Sequence, residues 1–179
     1  MVTSTEKFRV DLAKGQEAQN KIFAQLMADG WEEVDGDRMK HYDGEYALID
    51  HPEYGTLRIE VKHEIKYGHL PTCYVEYECN SKRSGIRSSK ADVFIHICKE
   101  ECFIYSKLRM LEFYYKAIQS CSTGKAGMWE WKEGGDRGVS KGLIINREAL
   151  VDATCNWVKI CKFEEISSTL KLMLRLEVI

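Results

Sequence analysis

Glu60 and Lys62 stand two apart in TLRIEVKHE (56–64), a run that reads as a β-strand. Strand side chains alternate between faces, so the acid and the base share one face with Arg58, about 7 Å apart along the chain. Leu57, Ile59 and Val61 take the other face, toward a core. A carboxylate placed this way can hold a divalent cation. A lysine beside it can orient or deprotonate a water, or steady a phosphoryl oxygen. The same pair also suits an ordinary solvated strand face, so the chemistry depends on what the surrounding elements bring to it.

Those elements can be read outward from the pair. HYDGEYALID (41–50) is a second strand-like run, and the Pro and Gly of the intervening HPEYG make the two a hairpin. TCYVEYEC (72–79) reads as a third strand with Tyr74, Glu76 and Glu78 on one face, and VFIHIC (93–98) as a fourth. Ahead of the hairpin, residues 12–29 read as an amphipathic helix closed by Gly30. Leu12, Ala18, Ile22, Phe23, Leu26 and Met27 recur there at helical spacing. Gln19 falls inside that apolar arc and Glu17 outside it. A second helix follows Ser106, with Leu108, Leu111, Tyr115 and Ile118 on one face. Residues 122–142 hold six glycines and read as loop with one short strand, and the remaining tail mixes strand and helix. The chain has 179 residues, 44% of them hydrophobic and 30% charged, with no repeats or interdomain linker. The expectation is one α/β domain with a central mixed sheet flanked by helices.

The order helix, three strands, loop, strand, helix, with E-x-K on the second arm of a hairpin, resembles the PD-(D/E)XK nuclease superfamily and its restriction-endonuclease-like fold. EYALI…IEVKHE, YVEYEC and SGIRSSKADVFIHI look like the small, largely phage-encoded members. The resemblance covers roughly residues 10–118 and leaves 119–179 as a C-terminal elaboration. It implies a metal-dependent nuclease that hydrolyses phosphodiester bonds of nucleic acid, DNA before RNA, with Mg²⁺ or Mn²⁺ as cofactor. It further implies Glu60 and the Val61 backbone carbonyl as metal ligands, and Lys62 as the residue that orients water and the scissile phosphate. Glu76 or Glu78 would assist from the neighbouring strand. Many members also aim a glutamate from the first helix at the site. Gln19, Ile22 and Leu26 fit that spacing, so here the helix offers an amide.

The family's first aspartate should face Glu60 across the hairpin. With Pro52 to Gly55 as the loop, His51 opposes Thr56 and Glu60 faces Ala47. The aligned motif also leads to Ala47, so the place expected to carry a metal-binding acid holds a methyl group. Three readings stay open. Asp50 serves as the metal ligand instead, its face corrected by a one-residue bulge. An engineered Asp→Ala change at Ala47 has inactivated the enzyme. Or the chain is a catalytically silent nucleic-acid- or protein-binding module on the same fold. Asp43 has the right parity but lies four residues along the strand.

NSKRSGIRSSK (80–90) carries Lys82, Arg83, Arg87 and Lys90 within nine residues, with Ser84 and a glycine between them. Cations, hydroxyls and free backbone N–H groups suit phosphate oxygens and position a backbone without reading sequence. A net charge of −2 offers no global attraction to nucleic acid, so such binding has to be local. Asp92 closes the segment as a structural acid for the loop backbone. The seven cysteines, without a C-x-x-C, indicate neither a disulfide framework nor a zinc knuckle. The five histidines show no zinc spacing, and His63 and His69 stand nearest the pair. STGKAG (122–127) lacks the glycine spacing and the Ser/Thr of a phosphate loop. Trp129 and Trp131 fit core packing, with stacking on bases as the alternative. No apolar run approaches the roughly 20 residues of a membrane span, and MVTSTEKFRV has no signal-peptide core. The expectation is a cytoplasmic protein, in the host cytoplasm if phage-encoded, with nucleic acid and not membrane as partner; a homodimer is left open.

Overall fold

The computed structural model describes residues 4–34, 47–64, 70–119, 129–134, 139–154, 156–176 and 179. In chain order these form α1 (Ser4–Ala28), β1 (Glu32–Glu33), β2 (Ala47–His51), β3 (Gly55–His63), β4 (Thr72–Cys79), β5 (Lys82–Arg83), a 3₁₀ turn (Gly85–Arg87), β6 (Val93–Cys98) and β7 (Glu101–Ser106). They continue with α2 (Lys107–Gln119), β8 (Trp129–Gly134), β9 (Ser140–Asn146), α3 (Arg147–Thr154), β10 (Val158–Lys162), a second 3₁₀ turn (Phe163–Glu165) and α4 (Ile166–Arg175). The fold is α/β, with a mixed central sheet of order β1-β2-β3-β6-β7-β10 flanked by helices. Its β3–β6 pair is parallel and its other pairs are antiparallel. A second, antiparallel sheet runs β5-β4-β9-β8.

The central strands bury both faces, which explains why VFIHIC is an almost unbroken apolar run. Val93, Ile95 and Ile97 join a core under α1 and α4, together with Leu57 and Ile59. Phe94 and Cys98 point the other way, into a second core shared with β4, β9, α2 and α3. Helix α1 places Ala18, Ile22, Phe23 and Leu26 in the first core and leaves Leu12 and Met27 exposed. It stops where Gly30 takes a left-handed φ of +91°, with Gly30 N–H donating to Met27 C=O and Trp31 N–H to Leu26 C=O.

Several elements depart from the sequence expectation. The acidic strand TCYVEYEC was expected beside the E-x-K strand; it forms β4 of the second sheet, and VFIHIC takes the place next to β3. β7 was not anticipated, because it runs into α2 without a break. The glycine-rich segment holds β8 and the first three residues of β9, where one short strand was expected. Helix α2 begins after Ser106, whose hydroxyl accepts from Arg109 N–H at 3.5 Å, but it buries Met110, Tyr114 and Ala117. Leu108 and Tyr115 of the expected face are exposed. Both arcs of this helix are apolar, so helical spacing alone does not select between them.

Candidate active site

The β2–β3 hairpin sets what can face Glu60. Gly55, at φ +72°, joins the ladder opposite His51, and Tyr54 N–H donates to His51 C=O across the turn. The loop therefore has three residues where four were expected, and the register moves by one. Ala47 pairs with Ile59, not with Glu60, and no described residue of β2 pairs with Glu60. Asp43 and Glu45 lie outside the described residues. Asp50 pairs with Thr56 and so shares the face of Glu60, without the bulge it was expected to need. It stands four residues along, about 13 Å away, and its Oδ1 accepts the Thr56 hydroxyl at 2.9 Å. That separation is too large for Asp50 and Glu60 to share one small cation.

Glu60 is far from a solvated strand face: it is 1% exposed. The Lys62 ammonium lies 2.5 Å from its Oε1 as an ion pair. The geometry is off-axis, and neither carboxylate oxygen receives a hydrogen bond from the protein. A buried carboxylate is costly unless it is paired and hydrogen-bonded. Glu60 has the pairing charge without the directed hydrogen bonds that usually accompany a buried carboxylate. The Lys62 side chain is 47% exposed and carries this charge outward.

Lys62 opens on a cleft of about 240 Å³ between the two sheets, lined also by Tyr74, Glu76, Gly85, His96 and Tyr105. Glu60 does not line it. His96, paired with Lys62 across the parallel β3–β6 ladder, bonds Tyr105 Oη through Nε2 at 2.9 Å. Burial, with Lys62 and Arg147 nearby, holds the His96 pKa down at about 3, so the imidazole is neutral near pH 7 and a poor base. Burial also pushes the Tyr105 hydroxyl up, so it stays a neutral donor. His96 was not singled out from sequence; its only signal there is to be the one polar residue within an apolar run. His63 lines the cleft too, with an unpartnered Nδ1, and His69 lies outside the described residues.

Glu76 reaches the cleft but is held in place. Its two carboxylate oxygens accept from the Ser84 and Ser140 hydroxyls, the latter at 2.6 Å, and Tyr74 Oη donates to Ser140 Oγ at 2.9 Å. This chain ties β4 to the basic loop and to β9. A β-bulge at Tyr77 then turns Glu78 away from the face of Tyr74 and Glu76, where it pairs with Lys141 at 3.3 Å. Ser84 is thus committed to Glu76, whereas Lys82, Arg83 and Lys90 are exposed and Arg87 is half-buried.

Asp92 was expected to bond the backbone of the basic loop; its carboxylate instead binds Arg58 on β3. It grips the Arg58 guanidinium with both oxygens, at 2.6 and 3.0 Å, and accepts from Arg58 N–H. Lys107, at the start of α2, donates to the Ser89 carbonyl and adds a second cation near Glu60. Burial and the Arg58 charge lower its pKa. Gln19 is buried on α1 against the Leu57/Ile59 face, so the sheet separates it from Glu60 and the helix amide does not join the site.

Among the described residues, no group of three His, Cys, Asp or Glu side chains stands close enough to hold a metal ion. The described cysteines are free; burial raises Cys102 to about 12 and Cys161 to about 11, which keeps them as inert thiols. No described helix is long and apolar enough to cross a membrane. Compared with protein-family models, with curated proteins and with solved structures, the chain matches none.

Proposed function

We propose that the chain is a Mg²⁺- or Mn²⁺-dependent nuclease of the PD-(D/E)XK type, hydrolysing phosphodiester bonds of nucleic acid, DNA before RNA. The observation that carries this reading is Glu60, a buried carboxylate whose Oε1 meets the Lys62 ammonium and whose Oε2 has no partner in the protein. Mg²⁺ commonly takes one or two protein carboxylates and completes its shell with waters and phosphate oxygens. Glu60 fits the lower end of that range, with the adjacent Val61 carbonyl as the second ligand. An ion bound there would polarise a phosphoryl oxygen and make its water more acidic. Lys62, reaching from Glu60 into the cleft, would hold a phosphoryl oxygen of the entering backbone. His96 and Tyr105 form a neutral floor that offers hydrogen bonds without taking a proton near pH 7. Exposed Lys82, Arg83 and Lys90 border the cleft loop and suit flanking phosphates.

The second reading, a catalytically silent binding module, is favoured by one specific observation: no three-ligand group exists among the described residues. Titrating Mg²⁺ and Mn²⁺ into the protein with labelled single- and double-stranded DNA separates the two. The nuclease reading expects metal-dependent cutting, reduced about 100-fold or more in Glu60→Gln, a loss at least as large as that for second-shell metal-site changes, with binding in EDTA retained. Binding in EDTA with no cutting at any metal concentration sinks the nuclease and leaves the silent module.

A further inference from the structure

The loop that carries the cations also packs against an aromatic column outside the cleft. At the β4 bulge Tyr77 turns toward α2 and stacks on Tyr114, with ring centroids 4.0 Å apart and planes 24° off parallel. The Arg87 guanidinium sits over the Tyr77 ring, 4.2 Å from its centroid. Trp131, on β8, meets Tyr77 edge-on at 6.1 Å and Tyr114 at 6.0 Å, yet its residue surface remains 39% exposed. Of the two tryptophans on β8, Trp129 is the one that packs into the core.

Charge surrounds this column. Lys82 and Arg83 are exposed, and Arg83 pairs with Glu78 across the β4–β5 ladder. The Glu78 carboxylate is paired with Lys141, which leaves the two loop cations uncompensated by it. On β8 the charged residues beside Trp131 are Glu130, Lys132 and Glu133, all exposed. An open indole backed by a rigid Arg–Tyr–Tyr stack offers a π-face to any base, and neighbouring cations match the phosphates on either side. A duplex buries its base faces, so only an unpaired strand can use both features.

We propose that this face binds single-stranded nucleic acid: an unpaired base stacks on Trp131 beside Arg87, and Lys82 and Arg83 take the flanking phosphates. The next residues of the same loop, Gly85 and Ile86, line the cleft, so a strand held here continues toward Lys62. The proposal shares with the reading above the nucleic-acid partner, but it does not depend on cleavage and is measured without metal.

The test is fluorescence anisotropy of a labelled oligo-dT and of a matched duplex, in EDTA, at low and moderate salt. Trp131→Ala is expected to weaken oligo-dT binding roughly 5- to 100-fold, the range of one lost base stack, with duplex binding changed less than about twofold. Trp131→Phe is expected to restore most of the loss. Replacing Lys82 and Arg83 together by Ala should reduce the slope of log K against log salt by about 1.4, at roughly 0.7 per phosphate contact on a single strand. Unchanged oligo-dT binding by a folded Trp131→Ala protein, or an equal loss on the duplex, overturns the proposal. If Trp131→Ala does not fold, the double variant decides, and an unchanged salt slope overturns it. Because the anisotropy is read in EDTA, where no metal-dependent cutting occurs, failure of the nuclease reading and failure of this one are seen separately.

Discussion

His96 shows how burial changes the chemistry of a residue. Its ring is enclosed between Phe94, Phe103 and Tyr105 and faces the Lys62 charge, so protonation is held off until about pH 3. In the unfolded chain the same ring titrates near 6.5. Between those values the unfolded state binds the extra proton, so stability rises with pH through this window and is fully present above 6.5. Moving from pH 6.5 to pH 5 should therefore cost about 2 kcal/mol, at about 1.36 kcal/mol per pH unit. Urea titrations at the two pH values check this, with His96→Gln expected to lose most of the difference; an equal pH dependence in the variant would count against the assignment. Spacing made Glu60 and Lys62 legible in the sequence, because two residues on one strand must share a face. Their surroundings were not legible. Nothing in the residue types told that Glu60 would be buried, or that His96 would close the cleft beside it. The facing position was missed because one glycine, Gly55, enters the ladder and shifts the pairing by one.

At the scale of elements, glycines report where backbones are forced together. A Cβ on Gly142 would meet the Val75 carbonyl oxygen at 2.4 Å and the Tyr74 ring at 2.8 Å, in the β4–β9 pairing that holds the Tyr74–Ser140–Glu76 chain. Gly142→Ala should destabilise by about 3 kcal/mol, lowering the thermal midpoint by roughly 6–12 °C for a chain of this size. Gly15, inside α1, has nothing within 4 Å of such a Cβ. Gly15→Ala should instead stabilise by about 0.5–1 kcal/mol, because alanine is the better helix former. Scanning calorimetry of the pair should show midpoints moving in opposite directions, and a shared sign would refute the packing argument. The strands at 72–79 and 93–98 were readable to the residue, the first from its alternation and the second from an apolar run flanked by polar residues. The sheet each would join was not, since β4 carries no mark that sends it to β9 in place of β3. The bulge at Tyr77 was equally silent, yet it parts Glu78 from Glu76 and builds the aromatic column.

At the scale of the whole molecule, the central sheet belongs to two cores at once. Cys102 and Ile104 of β7 face α1 and α4, while Phe103 and Tyr105 of the same strand face the second sheet. Neither core can open without exposing one face of β3, β6 and β7, so the two should melt as one unit. Leu170→Ala, in α4, and Leu143→Ala, in β9, each remove a fully buried side chain from a different core. Each should cost about 2–5 kcal/mol. The decisive point is the shape of the transition, not the size of the loss. Tryptophan fluorescence reports on both cores through Trp31 and Trp157, and far-UV circular dichroism reports on all elements. In both variants the two signals should fall on one denaturation curve, displaced as a whole. A Leu143→Ala protein that lost the second sheet first, with Trp31 still native, would mean that the sheets are separable. The cleft between them would then be a junction of two units and not a site built into one.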